Sequence, residues 1–109
     1  MRVCVPVTAQ GQVDPRWGRA DRVAVAHVED GEIAGWQEHD VGWSRLHGER
    51  SEGAHHARIA RFLREHEVET VAAHHVGPGM QRMLATMEVR LVTDLAGDAR
   101  AAVRAAATS

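Results

Sequence analysis

"RVAVAHVEDGEIAGWQEHDV", residues 22–41, decides the fold. Its first half alternates, with Val23, Val25 and His27 on one face and Ala24, Ala26 and Val28 on the other, the period-2 signature of a strand. Asp30-Gly31 follows, the dipeptide that favours a tight two-residue hairpin turn. Residues 32–41 then read as a return strand. Two antiparallel strands are therefore expected early in the chain, and every later connection has to be fitted around them.

Upstream, "RVCVPV" (2–7) is a short β-branched run ended by a proline and reads as a buried strand. Residues 8–20 carry Gly, Asp-Pro and Gly and read as a loop. Downstream, "GWSRLHGERSEG" (42–53) reads as a polar loop with Ser51 as an N-cap. A helix over 52–67 follows, with Ile59, Phe62, Leu63 and His66 at helical spacing. "VETVAA" (68–73) is the next buried strand. Gly77 as N-cap and Pro78 at the first helical position begin a second helix, whose Met80, Met83, Leu84 and Met87 form one stripe. "VRLVTDL" (89–95) reads as a last strand. Residues 97–107 read as a last helix with Ala99, Ala102, Val103 and Ala106 inward.

The order β-β-β-α-β-α-β-α joins its later strands by right-handed crossovers and so makes them parallel. An α/β fold is expected: a five-stranded mixed sheet with helices on its faces, in one domain over residues 1–109. With the first strand parallel to the third, fourth and fifth, loops 8–20, 40–52, 74–79 and 94–97 meet at one edge. Open α/β sheets bind ligands at that edge.

Composition bounds the function. A chain of 109 residues suits a single core. The net charge of −2 and scattered arginines give no field for nucleic acid or an anionic membrane. "MRVCVPV" holds no long apolar region and no cleavage site, and no run approaches a membrane span, so a cytoplasmic protein is expected. Cys4 stands alone, which excludes an internal disulfide and any multi-thiolate site from one chain. Lying mid-strand, it is expected to be buried and inert. Eight histidines stand against four other aromatic residues. His47, His55, His56, His74 and His75 fall in or beside the loops of the shared edge. Neutral imidazole binds zinc, nickel, copper and iron. A single divalent metal would take one of His74 and His75, together with His47 and one of His55 and His56. Strand alternation then turns one of His74 and His75 toward the core. His27, His39 and His66 read as structural, and the tryptophans as packing anchors, with Trp17 the one placed to wall a site.

Four motifs in order, "VPV" (5–7), "GRA" (18–20), "VEDGEI" (28–33) and "VGPGM" (76–80), resemble those of the dinitrogenase iron–molybdenum cofactor biosynthesis domain family, the NifX and NifB C-terminal type. The resemblance spans about residues 1–107. It implies a three-layer α/β/α sandwich with a ribonuclease-H-like motif. It also implies an iron–sulfur or molybdenum-containing cluster as ligand, with cluster donor and acceptor proteins as partners. Two departures stand out. Arg16 and Trp17 replace the His-Phe pair that usually precedes Gly-Arg-Ala, and His74-His75 replace two small residues before Gly-Pro-Gly. The His-Gly-rich loop before the first helix is kept in part as "LHGERSEGAHH".

For an anionic cluster the residues offer helix N-termini near 51–54 and 77–80, fork-shaped donors on Arg16 and Arg19, and close backbone approach at Gly77 and Gly79. Trp17, Gly18 and Pro78 complete that set. Enzyme readings find no support. The first strand lacks the carboxylate that a two-metal nuclease needs. No G-x-S-x-G elbow, P-loop or H-E-x-x-H motif is present. The expectation is a non-catalytic cluster carrier, without nucleic acid or membrane partners and with no oligomeric state fixed by the sequence. A mononuclear His site for zinc, nickel or copper, and a scaffold domain that has lost its ligand, stand as alternatives.

Overall fold

The computed structural model describes residues 1–46 and 52–109. The expected metal ligand His47 and the expected N-cap Ser51 lie outside the described residues. Strands β1 (Arg2–Pro6), β2 (Arg22–Glu29), β3 (Glu32–Asp40), β4 (Thr70–Ala72) and β5 (Arg90–Val92) form one sheet in the order β3-β2-β1-β4-β5. β1 pairs antiparallel with β2 and parallel with β4, and β4 pairs parallel with β5. The hairpin forms where the sequence puts it. Asp30 and Gly31 have φ of 51° and 79°, the two positive values a tight primed turn requires.

The register of that hairpin shifts between His27 and Val28, which pair with Gly35 and Ile33, so Ala34 is an extra residue on β3, while Ala24, Ala26 and Val28 of β2 stay buried together. His27 keeps the side of the sheet that Val23 and Val25 share, but it is exposed rather than buried with Val23. Helices α2 (Glu52–Glu65) and α3 (Pro78–Thr86) cover one face of the sheet and α4 (Ala99–Ala107) the other. This is the expected three-layer sandwich. On the first face Cys4, Val23, Val71, Ile59, Leu63, Met80 and Leu84 pack together; on the second, Val3, Val5, Ala24 and Ala26 meet Ala99, Ala102, Val103 and Ala106. The small residues of α4 let it lie close to the sheet, and the Asp98 carboxylate caps it by accepting from Ala101 N–H at 2.9 Å. Burial removes Cys4 from water and pushes its thiol up, which keeps it protonated and unreactive.

Two local readings change. The stretch 42–53 is not all loop, for Trp43–Leu46 form a short helix, α1, whose Trp43 is buried edge-on against Trp17 at 5.4 Å. β4 ends at Ala72, short of the histidine pair. Strand alternation therefore never reaches His74 and His75, and both are exposed; Val76 is the residue that turns inward. His39 and His66, half-buried, pack their rings 4.5 Å apart beside Phe62, the structural role expected of them. Among the described residues no helix is long and apolar enough to cross a membrane.

Candidate functional site

β1 and β4 lie side by side and parallel at the sheet centre, but the chain leaves them in opposite directions. From β1 it runs through the loop 7–21 to β2; from β4 it passes into α3 and on to β5. Such a divergence opens a crevice beyond the strand ends. An open groove of about 820 Å³ occupies it. One wall is Pro15–Arg19, containing a single 3-10 turn (Trp17–Arg19). The others are the first turn of α2 and residues 75–82 leading into α3.

Most of the residues expected from the sequence meet here. Arg16, Trp17, Gly18, Arg19, His55, His56, His75, Gly77, Pro78 and Gly79 all line the groove. His74 does not, although its carbonyl accepts from Asp94 N–H at 2.9 Å and so ties the neighbouring loop to the end of β4. The sequence reading had missed Arg82. It stands three residues after Gly79, on the same face of α3, and a guanidinium nitrogen lies 3.8 Å from where a Gly79 Cβ would be. The helical spacing alone could have found it. Glu52, Gly53 and Met80 complete the lining beside residues already named.

The start of α3 is built for backbone donation. Gly77 N-caps it in an extended conformation, Pro78 has no N–H to satisfy, and the first intrahelical bond runs from Gln81 N–H to Gly77 O at 3.0 Å. Gly79 and Met80 N–H thus have no acceptor within the helix. The His56 ring lies over this turn, its Cε1 3.1 Å from the Gly79 Cβ position, and its Nε2 stands 3.7 Å from Glu52. Gln81 Nε2 donates to Val76 O at 2.7 Å, which fixes the turn before the helix.

Arg16 behaves differently from the site residue a sequence suggests. Its Nε and Nη2 each donate to the carboxylate of Asp14 at 3.2 Å, and its backbone N–H donates there at 3.0 Å. Asp14 is buried while most of the Arg16 side chain is exposed. This hydrogen bonding, with the charge of Asp14, raises the guanidinium pKa and keeps it cationic. Among the described residues its other terminal nitrogen, Nη1, has no partner.

His55 is committed at both ring nitrogens. Arginine only donates, so Arg58 Nη1 at 2.7 Å makes His55 Nδ1 an acceptor. Nε2 then carries the hydrogen and donates it to Gly18 O at 2.7 Å. In this arrangement His55 has no lone pair to offer a metal. Among the described residues His56 and His75 are the histidines left with that capacity on the groove. Among the described residues no three His, Cys, Asp or Glu side chains are grouped to hold a metal ion. Among the described residues three arginines and one glutamate line the groove, so donors and positive charge prevail there. The Nε1 of Trp17, a buried wall residue, has no hydrogen-bond partner among the described residues.

A family model described as dinitrogenase iron-molybdenum cofactor matches residues 1–109. No curated protein sequence matches the chain significantly. Among solved structures, the apo form of the orange protein from Desulfovibrio gigas is similar with a TM-score of 0.77 and 25% identity, over 94% of this chain and 83% of that one. The protein PH0822 is similar with a TM-score of 0.77 and 17% identity, over 96% and 88%. A candidate NifB protein from Thermotoga, of the DUF35 family, has a TM-score of 0.66 and 19% identity, over 99% and 88%. The last two likenesses concern the fold alone.

Proposed function

The chain belongs to the dinitrogenase iron-molybdenum cofactor family, and from that premise we propose that its groove receives an anionic metal–sulfur cluster as cargo, for carriage, storage or insertion rather than catalysis. One observation carries this reading: arginines and the open N-terminus of α3 converge on a groove whose described lining holds a single carboxylate. The donor set suits such a cargo. No thiolate lines the groove, so a cluster would be held by charge and hydrogen bonds to its sulfides, with His56 or His75 as the groups able to bind a metal atom directly. Gly79, without a side chain, lets the cargo approach the free N–H groups of the first helical turn. The description of the orange protein as an apo form also supports the reading, since that word is used of proteins that take up a ligand.

A carrier of this kind works between a donor and an acceptor protein, in the cytoplasm on this reading. Release then has to be easy, and a site without thiolate bonds favours it. Anaerobic purification with metal and sulfide analysis and a visible spectrum tests the proposal. A coloured protein holding iron or molybdenum with sulfide is expected. A colourless protein lacking all three after incubation with ferrous iron, sulfide and molybdate defeats it. Stoichiometric zinc, lost when His47 and His75 are both changed to Ala, would replace it with a mononuclear histidine site.

A further inference from the structure

Among the described residues three polar or charged side chains are buried: Asp14, His55 and Thr70. Thr70 sits within the sheet. The other two stand at either end of one short segment, the groove wall 15–19. Burial of a carboxylate or an imidazole is costly unless hydrogen bonds compensate it, so their partners show what they do. Asp14 is itself fixed to the end of β1, its N–H donating to Pro6 O at 2.9 Å, and its carboxylate takes both the backbone and the guanidinium of Arg16. His55 reaches from α2 and takes Gly18 O. Along the segment Pro15, Arg16 and Arg19 are exposed, and of its residues Trp17 alone is buried.

We propose that Asp14 and His55 are positioning residues that mount the groove wall at two points and thereby set where Arg16 and Arg19 stand opposite α3. Arg58 fixes the His55 tautomer, so that the imidazole donates to Gly18 and is not a metal ligand. The hydrogen bond also satisfies the carbonyl oxygen of Gly18, a residue of the groove lining. The link to cargo rests on the function proposed above; the mounting itself is open to test without any ligand.

The test compares His55→Ala, His55→Gln and Asp14→Ala with the unchanged protein by amide hydrogen exchange and by anaerobic loading with ferrous iron, sulfide and molybdate. The amides of Arg19 and Ala20 close the wall's 3-10 turn onto Arg16 O and Trp17 O, while Ala102, bonded to Asp98 O on the opposite face, is the reference. In His55→Ala and Asp14→Ala, exchange at Arg19 and Ala20 should rise about tenfold, the factor for roughly one lost hydrogen bond, with Ala102 unchanged. Cluster affinity should fall by a similar factor. His55→Gln, whose side-chain amide can donate to Gly18 O, should restore both. Equal acceleration at Ala102, unchanged exchange at the wall, or unchanged loading with a loosened wall overturns the proposal, as does failure of the Gln variant to restore a folded protein's wall. If the unchanged protein takes up no cluster, the proposed function fails and the exchange comparison still decides the mounting.

Discussion

Gly79→Ala separates stability from ligand binding at one methyl group. Gly79 is the second residue of α3, with no positive φ that would penalise a side chain. A glycine-to-alanine change inside a helix stabilises by about 1 kcal/mol, and roughly half of that is expected in a first turn that frays. Against this, the new Cβ meets His56 Cε1 at 3.1 Å, so the ring must shift by a few tenths of an ångström. His56 can move at little cost. Its ion pair with Glu52 spans 3.7 Å and Glu52 is 82% exposed, a setting in which such pairs contribute about 0–1 kcal/mol. The net expectation is a gain of about 0.3–0.5 kcal/mol, or roughly 1–4 °C in Tm for a domain of this size. Cluster loading should fall about tenfold, because the methyl stands over the N–H groups of Gly79 and Met80 that are worth about 1–2 kcal/mol to an anion. Urea denaturation and anaerobic loading measure the two effects separately. A destabilisation above about 1 kcal/mol would show that His56 is locked in place. Unchanged loading in a stable variant would refute the placement of the ligand at this helix end.

Arg82→Gln should leave the unfolding midpoint within about 0.5 kcal/mol of the parent and weaken cluster loading, since among the described residues this exposed side chain has no hydrogen-bond or ion-pair partner; both are read in the same two assays. Asp98→Ala removes the cap of α4 and should cost about 1 kcal/mol in denaturant unfolding, without effect on loading from the opposite face of the sheet. Burial, and then the neighbouring His66, lower the pKa of His39 below its ordinary 6.5. The folded state therefore binds this proton less readily than the unfolded one. The resulting stability is complete above about pH 6.5 and is lost as pH falls from there toward the folded-state pKa. His39→Phe should flatten that part of the stability–pH curve, and an unchanged slope would show that another group carries it.

The parts of this fold that were legible beforehand are those set by local covalent chemistry and short-range periodicity. Asp30-Gly31 can supply two positive φ values, and the hairpin follows. Pro78 after Gly77 starts a helix because nothing is lost where a helix has no use for an N–H. The spacing of Ala99, Ala102, Val103 and Ala106 names the inner face of α4 before any partner is known. Where a local pattern met a tertiary demand, the demand prevailed. His74 and His75 continue the run of β4 on paper, but β4 ends once its short pairing with β1 and β5 is complete, and Val76 takes the buried place. Trp43 lies in a polar stretch, yet its ring is buried against Trp17 and Phe62 and its backbone N–H donates to Ala20 O, and α1 winds at that point.

The site divides in the same way. Residue types and loop order put arginines, glycines and histidines at one sheet edge, because the direction of each strand is determined by the turns that join them. Which side chains are free there is a matter of three-dimensional pairing. Asp14, in a stretch whose sequence says only loop, holds Arg16. Arg58 fixes the hydrogen of His55 on the nitrogen that faces Gly18, so a residue of metal-binding type is committed as a donor. Arg82 joins the groove through the 3.6-residue turn of α3. Chain chemistry by itself determined the layers and the edge where a ligand would sit; the hydrogen bonds made in the folded chain, from the near pairs of Asp14 with Arg16 and His55 with Arg58 to the bond from α2 across to Gly18, decided which groups there can receive it, since the state of a donor or acceptor depends on its partner.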